Sequence, residues 1–301
     1  MGINVLSLFD GMSCGQIALE RVGIEVDNYY SSEIDKYCIE VTKNNYPNTI
    51  QVGDITKLKS KDFEDIDLII GGSPCQGFSE SGKKLNFEDP RSKLFFEFVR
   101  LVKEIKPKYF LLENVRMKQA WQDIISKELG VNPVFINSRL VSAQERKRLY
   151  WTNIPNIIQP EDKNISFNDI CEDEGFCAAM RGRRINPNSN TRSDYDRSIP
   201  IVQYIECRKD NKTNCLTTVQ KDNIVVKTKQ PRISTKEIEY RWLTPLEYER
   251  LQTIPNNYTD CVSDNQRRKM LGNGWTVDVI VHIFKQLNYS PKPYNQSQQT
   301  K

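Results

Sequence analysis

The chain contains a single histidine, His282, in 301 residues. That scarcity removes most of the case for Ser-His-Asp triads and for histidine-rich metal sites, so any nucleophilic chemistry needs a different acid–base partner. No apolar run approaches the ~20 residues of a membrane span. Met1–Phe9 lacks the basic flank and long apolar stretch of a signal peptide, and the expectation is a soluble, cytoplasmic protein with no membrane attachment. Without a secretory signal, the eight cysteines argue against a disulfide framework. No Cys-x-x-Cys occurs. The closest pairs, Cys171 with Cys177 and Cys207 with Cys215, do not have zinc spacing, so no metal is expected.

What is present is unevenly placed. Phe176–Lys236 holds 13 Lys or Arg against 5 Asp or Glu, while the whole chain is only +4, leaving the remainder net negative. A basic block on an acidic remainder suggests a polyanionic partner met by one lobe, although a solvated, loop-rich insertion would look the same on charge alone. Order along the chain divides similarly. Strand patterns at Ile3–Phe9, Asp27–Ser32, Ile66–Gly71, Lys108–Glu113, Val134–Leu140 and Arg148–Trp151 alternate with helical patterns at Gln16–Val22, Lys36–Asn44, Ser92–Ile105 and Trp121–Leu129. Phe95, Phe98, Val99, Val102 and Ile105 recur at helical spacing. This alternation predicts an α/β fold with a mainly parallel, doubly wound sheet. From about Pro155 to Arg241 the pattern dissolves into short β-like pieces, Ile199–Cys207, Cys215–Val219 and Asn223–Lys227. Thr244-Pro245-Leu246-Glu247 then reads as a capping box opening a helix to Gln252. Further helices are expected at Asp264–Leu271, stopping at Gly272, and at Val277–Leu287, the latter packing back on the sheet. The expected organisation is 1–155, a mostly β/loop second domain at 156–243, helices returning to the first domain at 244–290, and a disordered tail at 291–301.

Candidate site residues collect where strands end. The first strand runs into Phe9-Asp10-Gly11-Met12-Ser13-Cys14-Gly15, whose glycines let a ligand approach the backbone. Glu33 ends the second strand 22 residues after Gly11, close to the ~20-residue offset at which an acid reaches ribose hydroxyls. Asp54 could hold an adenine amino group. A glycine turn with two solvated acids explains these residues equally well, and the pattern is not the dinucleotide fingerprint. The sharpest segment is Gly71-Gly72-Ser73-Pro74-Cys75-Gln76-Gly77-Phe78-Ser79, a buried-type strand entering a turn where Cys75 could act as thiolate. Glu113-Asn114-Val115 ends another strand. Arg146 and Arg148, in Gln144-Glu145-Arg146-Lys147-Arg148, face the same way if extended, as donors to a carbonyl, carboxylate or phosphate.

Taken together, Phe9-x-Gly11, Pro74-Cys75-Gln76, Glu113-Asn114-Val115, Gln144-x-Arg146-x-Arg148 and Gly272-Asn273 resemble, in that order and spacing, the DNA (cytosine-5)-methyltransferase family. The resemblance covers most of the chain except about 156–240. Asp10-Gly11-Met12 and Asn273-Gly274-Trp275 look closer to the vertebrate de novo branch. The family implies a Rossmann-like, S-adenosylmethionine-dependent domain with a smaller target-recognition domain, acting on double-stranded DNA as a monomer and releasing S-adenosylhomocysteine. The absence of large regulatory extensions leads to the expectation of a stand-alone prokaryotic or phage enzyme, with a cognate restriction endonuclease as a candidate partner. Cys75 would add to carbon 6 of a flipped cytosine and make carbon 5 nucleophilic. Glu113 would act at ring nitrogen 3, and Arg146 would hold the cytosine carbonyl with Arg148 in support. Cofactor residues carry over to Phe9, Asp10, Gly11, Met12, Ser13, Cys14, Glu33, Asp54, Ile55, Thr56, Pro74, Asn273, Gly274 and Trp275. Gly77–Arg91 would close over the base, so Ser79, Lys83 and Lys84 are expected at DNA, together with Arg181, Arg183 and Arg184 of the basic block. A transfer RNA methyltransferase or a non-catalytic DNA-binding homologue are the competing readings.

Overall fold

The computed structural model describes residues 2–74, 90–229 and 232–289. Its first layer is a seven-stranded sheet built from β1 (Ile3–Leu8), β2 (Val26–Ser32), β3 (Ile50–Gln51), β4 (Leu68–Gly72), β5 (Tyr109–Val115), β6 (Val134–Asn137) and β7 (Lys147–Thr152), in the order β3-β2-β1-β4-β5-β7-β6. The first five strands are parallel neighbours, whereas β7 lies antiparallel to both β5 and β6. The parallel strands read as nearly continuous apolar runs because both faces are covered. Ile3 and Val5 of β1, Leu68 and Ile70 of β4, and Tyr109 and Leu111 of β5 belong to one core cluster; Leu6, Leu8, Ile69, Phe110 and Leu112 belong to the other.

Helices α1 (Cys14–Val22), α2 (Lys36–Asn45), α3 (Pro90–Ile105) and α4 (Gln119–Leu129) connect these strands. Phe95 and Phe98 of α3 are fully buried among the second cluster, as their helical spacing predicts, and Leu101 is buried with them. Close approach of this helix explains Gly71, where an added Cβ would meet Leu8 O at 2.7 Å and the Phe98 ring at 3.1 Å. After α1 the chain builds outward through β2 and β3; β4 then returns to the other side of β1. The carboxyl ends of β1 and β4 therefore flank a topological switch point, where doubly wound sheets bind ligands.

A second sheet contains β8 (Phe176–Arg183), β9 (Val202–Cys207), β10 (Ile224–Val226), β11 (Ile233–Ser234) and β12 (Tyr240–Trp242), ordered β11-β9-β8-β10-β12 and antiparallel throughout. Its own core is small: Ala178, Ile205, Ile224 and Val226. The expected strand at Cys215–Val219 does not form. Side chains replace its ladder: Leu216 N donates to Gln144 Oε1 (2.8 Å) and Cys215 O accepts from Asn223 Nδ2 (3.4 Å). The expected strand over Val134–Leu140 also shortens, because Asn137 caps a 3-10 turn at Ser138–Leu140.

Helix α5 (Pro245–Leu251) opens with the expected capping box, Thr244 accepting from Glu247 N and Glu247 from Thr244 N. Helix α6 (Asp264–Asn273) ends two residues later than its sequence suggests, at Gly274. Helix α7 (Val277–Phe284) buries Val277, Val279, Ile280, Ile283 and Phe284 and packs on α1, each such side chain contributing roughly 1.5–3 kcal/mol. Among the described residues, no helix is long and apolar enough to cross a membrane.

Candidate active site

The turn after β1 is wound tightly. Phe9, Gly11 and Ser13 all have positive φ (58°, 61° and 61°), a conformation costly for a bulky residue such as phenylalanine and tolerated where surroundings enforce it. Asp10 supplies much of that enforcement. Its carboxylate accepts from Ser13 Oγ, from Tyr29 OH at 2.8 Å and from Ser31 Oγ at 2.8 Å. Burial pushes the Asp10 carboxyl up from its ordinary range, against the pull of these hydroxyls. Glu33 completes the turn: Oε2 accepts from Gly11 N (2.8 Å), while Oε1 accepts from Ile34 N (2.7 Å) and Asp35 N (2.8 Å).

The second wall comes from the late turn. Gly72 admits the Trp275 indole, whose Nε1 lies 3.0 Å from where a Cβ would sit, and a Cβ on Gly274 would strike Met12 Cε at 2.6 Å. The buried Gln252 carboxamide holds this turn, donating to Leu271 O (2.6 Å) and Gly274 O (3.1 Å) and accepting from Thr276 Oγ1 (3.0 Å). Asp35 Oδ2 and Lys269 Nζ pair at 2.7 Å between α2 and α6.

On the third side are the groups suited to chemistry. The register sets Gly72 opposite Glu113, Glu113 opposite Tyr150, and Val115 opposite Arg148. Glu113 is 8% exposed, and its Oε1 lies 2.7 Å from Arg148 Nε without the alignment of a hydrogen bond among the described residues. Asn114 Nδ2 donates to Ser73 Oγ (3.0 Å), two residues before Cys75, and so fixes the chain where it enters the cysteine segment. Arg146 is 3% exposed, and its guanidinium is consumed by the Leu216 (3.1 Å), Gly272 (3.3 Å) and Gly274 (2.8 Å) carbonyls. Burial, then the neighbouring Arg148, lowers its pKa. Burial also opposes charge on Arg148, but Glu113 and Cys215 outweigh it and raise its pKa. The two arginines thus have different partners: Arg148 meets Glu113, while Arg146 ties backbone segments together.

These walls enclose one cavity of about 370 Å³. It is lined by Phe9, Asp10, Gly11, Met12, Cys14, Glu33, Pro74, Glu113, Arg146, Arg148, Asn273, Gly274 and Trp275 from the sequence reading, and by Asp35, Cys38, Gln266, Lys269 and Met270, which that reading missed. The Asp35–Lys269 pair joins residues 234 apart, a juxtaposition no local pattern reveals. Ser13, Asp54, Ile55 and Thr56 do not line the cavity. Ser13 is spent on Asp10, and Asp54 caps its own turn through Thr56 N (3.0 Å) and Thr56 Oγ1 (2.8 Å). Cys75, Ser79, Lys83 and Lys84 lie outside the described residues. The three arginines expected at DNA are all engaged within the protein: Arg181 pairs with Asp222, Arg183 grips Glu206 through two bonds of 2.8 and 2.7 Å, and Arg184 donates to Ile199 O.

Two kinds of similarity bear on this geometry. The fold is shared with the Entamoeba histolytica methyltransferase EhMeth (TM-score 0.71, 17% identity, 95% of this chain and 98% of that one) and with Spodoptera frugiperda DNMT2 (TM-score 0.67, 19% identity, 95% and 99%). In sequence, the chain is 32% identical to the type II methyltransferase M1.ScrFI of Lactococcus lactis subsp. cremoris over 94% of its own length and 77% of that protein. It is 32% identical to the orphan methyltransferase M.SPRI of Bacillus phage SPR over 55% of its own length and 41% of that one. The motifs around the cavity fall within the match to the C-5 cytosine-specific DNA methylase family, which extends over residues 3–289; the chain belongs to that family and is a DNA cytosine-5 methyltransferase.

Proposed function

We propose that the chain methylates carbon 5 of a cytosine flipped out of a short, specific double-stranded DNA sequence, through a transient bond from Cys75 to carbon 6. The observation that carries this reading is the single cavity shared by the β1 turn, the Trp275 turn and the Glu113–Arg148 pair. One cavity reached by all three would hold a methyl donor and a base side by side.

S-adenosylmethionine, when bound, supplies a methyl group on a cationic sulfur. The cradle suits such a molecule. Gly11 leaves open space at the backbone, Glu33 is anchored by three backbone N–H groups, and the Trp275 indole, seated against Gly72, lines the cavity, where an aromatic ring would suit a cation. Glu113 would hold a proton at cytosine nitrogen 3 as the Cys75 thiolate adds, withdrawing charge from the ring. Arg148, rather than Arg146, would donate to the cytosine carbonyl oxygen, because its charge faces Glu113. Asn114 would steady the Ser73–Pro74 approach to Cys75. The second sheet would meet DNA, with phosphate contacts giving affinity and loop side chains reading base edges. A paired endonuclease would follow if the gene sits in a restriction–modification system.

Bisulfite sequencing of DNA from cells expressing the chain should reveal one protected short motif. Cys75→Ser should lower methyl transfer by at least about a thousandfold, and 5-fluorocytosine at the target should trap a protein–DNA adduct. Undiminished transfer by Cys75→Ser, or methylation of RNA with none of DNA, would overturn the proposal.

A further inference from the structure

Cys215 belongs to none of the motifs, yet its sulfur lies 3.3 Å from Arg146 Nη1 and 3.7 Å from Arg148 Nη2. The stretch carrying it is fastened on both sides. Toward the arginine motif, Thr213 N donates to Ala143 O (2.7 Å), Glu145 N to Thr213 O (3.0 Å) and Leu216 N to Gln144 Oε1 (2.8 Å). Toward the second sheet, Asn214 donates to Asn223 Oδ1 and to Asp222 O (both 2.8 Å), and Asp222 pairs with Arg181 of β8. Cys215 therefore lies, with Leu216, on the connection that joins the second sheet to Arg146 and Arg148.

The local charge balance makes that contact chemically pointed. Arg148 has Glu113, but among the described residues no carboxylate pairs with Arg146, whose other partners are carbonyls. Two buried guanidiniums facing one carboxylate leave an excess positive charge that burial penalises. A neutral thiol is a weak acceptor, whereas a thiolate both accepts from the two guanidiniums and cancels the excess. We infer that Cys215 is a positioning residue: its thiolate, held between Arg146 and Arg148, sets the arginine pair against Glu113 and lets the second sheet keep that pair in register. This rests on the proposed reaction for its purpose, though not for its charge state.

The surroundings agree in direction. Burial pushes the Cys215 thiol up, but Arg146 and Arg148 outweigh it and leave it below the ordinary thiol value. Burial instead carries Cys14 and Cys177 up to about 12. The charged and titratable groups nearby are Arg146, Arg148 and Tyr150 from the arginine segment and β7, and Glu113 from β5. Burial raises Tyr150 far enough to keep it neutral.

Two measurements on the full chain test the assignment. In a Cys75→Ser background, thiolate ultraviolet absorbance followed with pH should show a step below the ordinary thiol range, and adding Cys215→Ser should remove it; superimposable curves would overturn the inference. This arm needs no activity, so it stands even if the proposed reaction fails. With Cys75 intact, Cys215→Ala should lower kcat by roughly tenfold to a hundredfold through misplacement of Arg148, with KM for DNA within about twofold. The charged Cys215→Asp should recover most of the loss and the neutral Cys215→Ser little of it. A Ser variant equal to wild type, or a correctly folded Asp variant no better than Ala, would leave Cys215 without this role.

Discussion

The edge of the first sheet and the strands of the second use arginine in opposite ways. At the first edge, Arg148 meets a carboxylate delivered by β5, and the pair faces a cavity. In and around the second sheet acids sit beside bases: Glu206 of β9 grips Arg183 of β8, while Arg181, Arg192 and Arg208 pair with Asp222, Asp194 and Asp210, and Asp196 is held by Ser198. Four of the 13 basic residues of the block are thus neutralised locally, and the field offered to a polyanion comes from the others, such as Arg197, Lys227, Lys229 and Lys236. Counting charges finds the lobe but overstates what its arginines can offer.

The largest expected effect separates the two arginines of the first edge. Arg148→Lys keeps the charge but loses the planar fork, and kcat should fall about a hundredfold while the protein melts near wild type. Arg146→Ala strands three buried carbonyls and should cost at least about 3 kcal/mol, lowering stability and activity together. Paired melting curves and steady-state rates would break the distinction if Arg146→Ala proved stable with only kcat reduced.

The same contrast explains what is legible in the sequence. Parallel strands, switch-point turns and the α5 capping box follow from short-range patterns of apolar, glycine and capping residues. The alignment of Glu113 with Arg148 depends on cross-strand register, and the two residues are 35 positions apart in sequence; only the family resemblance brings them together without the fold. Arg146 reads as a substrate donor because residue type and spacing say nothing about which carbonyls close around a guanidinium. Cys215 invites attention in the sequence only for zinc spacing, within a segment that reads as a strand. Its meaning lies in contacts with residues 67 and 69 positions away. In the second sheet β11 and β12, two and three residues long, are too short to show periodicity, and β8 buries Cys177, Ala178 and Ala179 in succession instead of alternately, so none of the three has a legible signature.

A middle-sized effect tests the second region. Arg183→Glu with Arg184→Glu should weaken DNA binding in a salt-dependent way, but the first change also sets a new carboxylate against that of Glu206. Exchanging the pair, Arg183→Glu with Glu206→Arg, restores the ion pair with its charges reversed. If Arg183 serves only the sheet, the exchange should return stability and DNA affinity together. If it also touches phosphate, stability should return while the salt dependence stays shallower by about one unit of slope.

The smallest effect concerns the pair that closes the cavity rim. Lys269 holds the Asp35 carboxyl below its usual range through their hydrogen bond, and Asp35 in turn raises Lys269. Both side chains are substantially exposed (28% and 53%), so the bridge should contribute under about 1 kcal/mol. Because the folded Asp35 pKa is depressed, that contribution is complete above the unfolded carboxylate value and is lost as pH falls through the folded one. Because the folded Lys269 pKa is raised, the contribution is lost again only as strongly alkaline pH passes that value. Lys269→Met should therefore unfold slightly more easily than wild type across the neutral range, and the two proteins should converge in acid. Denaturant melts at neutral and acidic pH separate this from apolar packing by the lysine stem, which would leave the difference unchanged in acid.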